Sequence, residues 1–159
     1  MSLLGETAPD FTLESSGGGT VTLSDRLETG PVVVLIQRGH WCSFCAEQLR
    51  TFSDQSYDMW FHGGVDVLPV VVDPLERVTE MRDRYDLRIQ LLADPDGEAA
   101  EQYSGTERTS HGLTGIAATY VVDDEGTVRY EQVAQNPADR TYGNWVRYFF
   151  RNDYEDPWA

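Results

Sequence analysis

"PVVVLIQRGHWCSFCAEQLRTF", residues 31 to 52, changes its periodicity part-way along. Residues 31 to 37 form a continuous apolar run rich in β-branched residues, the pattern of a strand buried on both faces. From Ser43 to about Trp60 the apolar residues recur at helical spacing, with Leu49, Phe52 and Met59 or Trp60 facing inward. The pair Gly63-Gly64 stops that helix. Between strand and helix stand both cysteines of the chain, Cys42 and Cys45.

The segments on either side alternate in type. "DFTLES" and "TVTLSD", separated by Ser-Ser-Gly-Gly-Gly, predict an N-terminal β-hairpin. "VDVLPVVVD" (65 to 73) is a second buried strand, and Pro74 opens the helix "PLERVTEMRDRYD" in its first turn. "IQLLAD" gives a short strand and "PDGEAAEQYSG" a short helix ending in glycine. "ATYVVDDEGTVRYEQVA" predicts two antiparallel strands around Asp124-Glu125-Gly126. Residues 138 to 151 make a last helix carrying Trp145, Val146, Tyr148 and Phe149. This order, β-α-β-α-β-α and then ββα, predicts an α/β fold: a central mixed sheet, parallel in the middle and antiparallel at one edge, flanked by helices. The 159 residues are read as one domain, 1–159, with a short acidic tail over 152–159.

Two cysteines so placed can be a redox couple, half of a metal site, or two small core residues. Zinc needs about four ligands, and the other candidates, His40, His62 and His111, supply no second closely spaced pair. No metal site is therefore expected. The start of a helix favours the redox reading, because unpaired N–H groups and the positive end of the helix dipole stabilise a thiolate, the reactive form. A spacing of three puts both side chains on one side of the first turn, close enough to close a disulfide. His40 and Arg38, just upstream, are placed to add positive charge, and Trp41 to shield the pair from water.

Composition narrows the partners. The chain has 27 acidic and 12 basic residues, a net charge of −15, and every basic residue is Arg. Such a surface repels nucleic acid and anionic membranes, and no stretch approaches the about 20 apolar residues that cross a bilayer. The acidic residues are dispersed through "DPLERVTEMRDRYD", "DPDGEAAE", "VVDDEGT" and "RNDYEDP", a solvated shell and not an interaction tail. With no Lys, this resembles the proteins of salt-loving archaea, whose surroundings screen self-repulsion. "MSLLGETAPDF" lacks a basic start followed by a long apolar run, so a cytoplasmic location is expected. No G-x-G-x-x-G follows a strand, so no nucleotide cofactor is expected.

A strand ending in Trp-Cys-x-x-Cys at a helix start resembles the thioredoxin fold. Four landmarks in order narrow the resemblance to the alkyl hydroperoxide reductase/thiol-specific antioxidant family, the peroxiredoxins and their relatives. "GETAPDFTL" (5 to 13) is similar to that family's opening segment and "VVVDPLERVTEMRDRYDLRIQLLADPDGEAAEQYSG" to its β-α-β-α middle. "ATYVVDDEGTVRY" is similar to its edge hairpin, and "NPADR" (136 to 140) to a turn in some members. The resemblance runs from about residue 5 to residue 150.

It implies a thiol-based antioxidant enzyme that reduces peroxides. Aligned this way, Cys45 is the peroxidatic cysteine and Cys42 the resolving one, and Gln48 falls where the family often carries Glu or Gln. Two positions depart. Cys42 replaces the Thr or Ser three before the peroxidatic cysteine, and Ala117 replaces an Arg ahead of the edge strand, with Arg38 as the candidate substitute. The alternative is a thioredoxin-like disulfide reductase with Cys42 as nucleophile, for which Ala117 and Ile36 replace the usual proline and buried acid. A third reading is a non-catalytic redox sensor that modulates binding to another protein. Each redox reading implies a thioredoxin-like reductant to restore the dithiol, and a homodimer is compatible with all of them.

Overall fold

The computed structural model of the protein describes residues 2–152. In chain order the elements are β1 (Thr12–Ser15), β2 (Thr20–Thr22), α1 (Leu23–Leu27), β3 (Val32–Gln37), α2 (Ser43–Gly63), β4 (Asp66–Val71), α3 (Leu75–Arg84), β5 (Leu92–Ala93), α4 (Glu98–Tyr103), β6 (Thr106–Thr109), β7 (Gly112–Gly115), β8 (Ala118–Val122), β9 (Val128–Val133) and α5 (Gly143–Asn152). Seven strands make one mixed sheet in the order β2-β1-β5-β4-β3-β8-β9, and β6 and β7 pair separately. Strands β3, β4 and β5 run parallel, while β8 and β9 close one edge in antiparallel fashion. The expected N-terminal hairpin forms with Thr12 opposite Thr22, and β1 then joins β5.

Strand β3 explains the layering. All six of its residues are buried, and alternate side chains enter different cores. Val33 and Leu35 pack with Leu49 and Phe52 of α2, Val78 and Met81 of α3, and Val146 and Phe150 of α5. Val32, Val34 and Ile36 pack on the other face with Leu23, Ala99, Ala100, Tyr103 and Tyr120. Ile36, where thioredoxins carry a buried acid, is an ordinary core residue here.

Helix α2 ends as its glycines predict, with Gly64 in the left-handed conformation at φ 64°. Its inward residue at the far end is Met59, whereas Trp60 lies half exposed. Pro74 precedes α3 as its extended cap, φ −69° and ψ 157°, one position outside the expected first turn. Its carbonyl accepts the N–H of Arg77 and of Val78.

Two further expectations change. The last helix starts at Gly143 and not at residue 138, because "NPADR" folds on itself. The Asn136 side chain accepts the Ala138 N–H, and the Asp139 carboxylate accepts the Gln135 N–H. Helix α1 and the β6–β7 hairpin are additions; both are too short and too polar to show a clear period. Gly115 ends that hairpin against β3: its N–H donates to the Arg38 carbonyl, and a side chain there would meet the Gln37 carbonyl. The tail beyond residue 152, with Trp158, lies outside the described residues. Among the described residues no helix is long and apolar enough to cross a membrane.

Candidate active site

The end of β3 and the start of α2 bring Cys42 and Cys45 together. Cys42 is the N-cap of α2, and its sulfur accepts the Cys45 N–H at 3.3 Å. The Cys45 sulfur accepts the Arg38 N–H at 3.4 Å. Both cysteines are buried, Cys42 at 2% exposure and Cys45 at 0%, and they are not bonded to each other.

The two sulfurs share one negative charge, and it settles on Cys42. The Cys45 thiol donates a hydrogen bond to the Cys42 thiolate, which outweighs the opposing cost of burial. With the Cys45 N–H, the Arg140 charge and the Arg38 side chain adding to this, Cys42 is drawn from 9.0 down to about 5. Burial pushes Cys45 well above 9.0, and its hydrogen bond to Cys42 adds to the rise. Cys42 is therefore a thiolate near neutral pH and Cys45 the thiol that supports it.

The guanidinium that reaches both sulfurs belongs to Arg140, in the loop between β9 and α5. Its Nη2 lies 3.2 Å from Cys45 Sγ and 3.6 Å from Cys42 Sγ. Its Nη1 donates to Gln48 Oε1 at 2.9 Å and to Gln37 Oε1 at 3.3 Å, and its Nε to the Pro137 carbonyl at 2.8 Å. All five guanidinium N–H groups thus have an acceptor. Gln48 is satisfied as completely: its carbonyl also accepts Gln37 Nε2, and its amide donates to Thr119 Oγ1 and the Thr141 carbonyl. Gln37, Gln48, Thr119 and Thr141 are all buried, so this network is fixed by packing as well as by hydrogen bonds.

The expected site residues divide by position. Gln48 lies at the centre of the hydrogen-bond network. Arg38 lies at the edge of the pair. Its guanidinium lies over the Trp41 ring, 4.7 Å from the centroid, and of the groups lowering Cys42 it contributes least. Trp41 is half-buried and stacks on His111 of the β6–β7 turn, centroids 3.7 Å apart and planes at 11°. His40 turns towards Asp73, whose Oδ2 takes both the His40 N–H at 2.7 Å and Nδ1 at 2.8 Å; it touches neither sulfur. A cavity of about 120 Å³, lined by Arg38, Gly115, Ala117, Asn136 and Pro137 among others, shares Arg38 with the site, but neither cysteine lines it.

Sequence reasoning missed Arg140 and Gln37. Gln37 carried a signal, a polar residue closing a run otherwise apolar and buried. Arg140 carried only its place in "NPADR", a turn whose side chains point nowhere until the fold is known. Among the described residues no three His, Cys, Asp or Glu side chains gather closely enough to hold a metal ion.

A seven-stranded mixed sheet with a Cys-x-x-Cys pair capping the helix after a central strand defines the thioredoxin fold. Within that class residues 4–131 match the AhpC/TSA family, and the chain belongs to it. It is 30% identical over 126 residues to chloroplastic peroxiredoxin Q of Oryza sativa subsp. japonica, a match covering 79% of this chain and 57% of that protein. It is 26% identical over 135 residues to a peroxiredoxin of Thermoplasma volcanium, covering 80% of this chain and 64% of the relative. The chain thus spans less than two thirds of either relative. The crystal structure of peroxidoxin BcpB from Mycobacterium tuberculosis superposes with a TM-score of 0.76 at 21% identity, covering 87% of this chain and 90% of that one, which shows the shared fold.

Proposed function

We propose that this protein reduces small peroxides through a Cys42/Cys45 dithiol–disulfide cycle, with Cys45 attacking and Cys42 resolving. The observation that carries the reading is the geometry around Cys45: its sulfur takes the Arg140 Nη2 at 3.2 Å and the Arg38 N–H at 3.4 Å, while its own N–H donates to Cys42 Sγ at 3.3 Å. The Cys42 thiolate draws the proton from Cys45 as the Cys45 sulfur attacks the terminal peroxide oxygen. An S–O bond forms, the O–O bond breaks, and the alkoxide leaves as the alcohol with that proton. Cys42, a thiolate again, then attacks the Cys45 sulfenic acid. The S–S bond forms, and the hydroxide takes a proton from solvent and leaves as water. An external dithiol of thioredoxin type restores the pair by thiol exchange. The family membership and the peroxiredoxin relatives support the reading, and the acidic, Lys-free composition supports a cytoplasmic protein working in high salt.

A second reading has its own observation. The resting charge sits on Cys42, the sulfur that leads in a thioredoxin-like disulfide reductase. Mixing the reduced protein with one equivalent of hydrogen peroxide in molar salt separates the two. The first reading expects both thiols to be lost as an intramolecular disulfide for each peroxide consumed. Untouched peroxide, alongside fast reduction of a model disulfide, sinks it in favour of the second.

A further inference from the structure

The site holds two sulfurs suited to two chemistries, and one side chain treats them differently. Arg140 approaches Cys45 more closely than Cys42, at 3.2 Å against 3.6 Å. The Cys42 charge has other support, the Cys45 thiol and the Cys45 N–H. Arg140 also lies beyond residue 131, where the match to the family ends. Ahead of the edge strand, where the resemblance calls for an arginine, the chain has Ala117. Even so, the guanidinium is locked in place, with Gln37 and Gln48 on one nitrogen, Pro137 on a second and the sulfurs on the third.

We propose that Arg140 is a specificity-determining catalytic residue, one that commits the dithiol to peroxides over disulfides. The inference rests on the thiol-redox reading above and adds to it which group selects the substrate. Attack on a peroxide moves charge from the Cys45 sulfur to a departing oxygen, a compact anion that gains much from a preorganised donor. The Nη2 edge already lies along that sulfur, and its longer contact, to Cys42 at 3.6 Å, is the one that can be exchanged for the oxygen. Attack on a disulfide from Cys42 moves charge to the partner's sulfur, a large and diffuse anion that needs a hydrogen-bond donor far less. Gln37 and Gln48 are positioning residues in this scheme, since they touch the guanidinium and not the reacting atoms.

The test compares two second-order rates for the fully reduced protein in molar salt: with hydrogen peroxide, and with an aromatic model disulfide. In Arg140→Met the peroxide rate is expected to fall by about 10²–10³-fold. The disulfide rate is expected to change by no more than about tenfold, the scale of one hydrogen bond. Arg140→Lys keeps the charge but not the planar fork, and should fall between wild type and Arg140→Met on the peroxide arm alone. Should Arg140→Met not fold, the two rates of Arg140→Lys decide by the same criterion. An equal loss on both arms makes Arg140 a general support for the thiolate and overturns the inference, as does a peroxide rate left unchanged. A wild-type protein inert to peroxide sinks the functional reading along with this inference. A reactive wild type whose ratio of rates survives the substitution sinks this inference alone.

Discussion

Strands β3 and β5, both parallel to β4, lead into buried polar groups of different kinds. Beyond β5, Asp94 is buried, and its carboxylate accepts the N–H groups of Ala99 and Ala100 at 3.2 and 2.9 Å. Its own N–H donates to the Val71 carbonyl, and its carbonyl accepts Gly97. Every one of these partners is backbone, so Asp94 ties the start of α4 to the sheet. At the end of β3, Gln37 begins a network of the same density that runs through Gln48 and Arg140 and terminates on two sulfurs. Burial and saturation of polar groups do not distinguish a structural device from a reactive one. What distinguishes them is whether the network ends on a nucleophile.

The charge held on Cys42 should appear in the pH dependence of stability. Cys42 has its folded value depressed from 9.0 to about 5, so its contribution is complete above the unfolded value and is lost as pH falls through about 5. Between these limits the reduced protein is expected to gain up to about 1.4 kcal/mol per pH unit from this group. The raised Cys45 acts in the opposite sense only above the unfolded value. Denaturant midpoints of reduced wild type, set against Cys42→Ser and the oxidised protein, isolate the slope. A slope equal in all three breaks the comparison.

Asp94→Ala addresses the other network. Removing the carboxylate strands two buried N–H groups, and a loss of about 2–3 kcal/mol is expected by denaturant unfolding. The thiolate absorbance titration should stay where it was. A displaced titration would mean that the two networks are not separate.

Gln48→Ala removes the acceptor that Arg140 and Gln37 share, and a smaller loss of about 1–2 kcal/mol is expected. Its diagnostic effect lies elsewhere. Without its clamp the guanidinium no longer holds the pair, so the thiolate titration should move upward. An unmoved titration would show that Gln48 only fills space.

How much of this was legible follows the range of the interactions. Strand β3, α2 and the edge hairpin could be read because their burial writes its own period into the residues. Cys42, Cys45 and Gln48 could be read because they lie within one strand-to-helix unit. Arg140 could not, being 95 residues from Cys45 in sequence and brought to it only by the return of β9 along the sheet edge. Trp41 and His111 meet for a similarly non-local reason, through the β6–β7 hairpin that Gly115 seats against β3. Arg38, the nearer arginine in sequence, gives its backbone N–H to Cys45 and lays its guanidinium over Trp41.

The most direct measurement of the central claim traps the sulfenic acid formed in a single turnover with peroxide, in Cys42→Ser and in Cys45→Ser. The account predicts a trapped adduct on Cys45 in the first variant and none in the second. An adduct on Cys42 in the second variant, with none in the first, would contradict it and make Cys42 the leading sulfur.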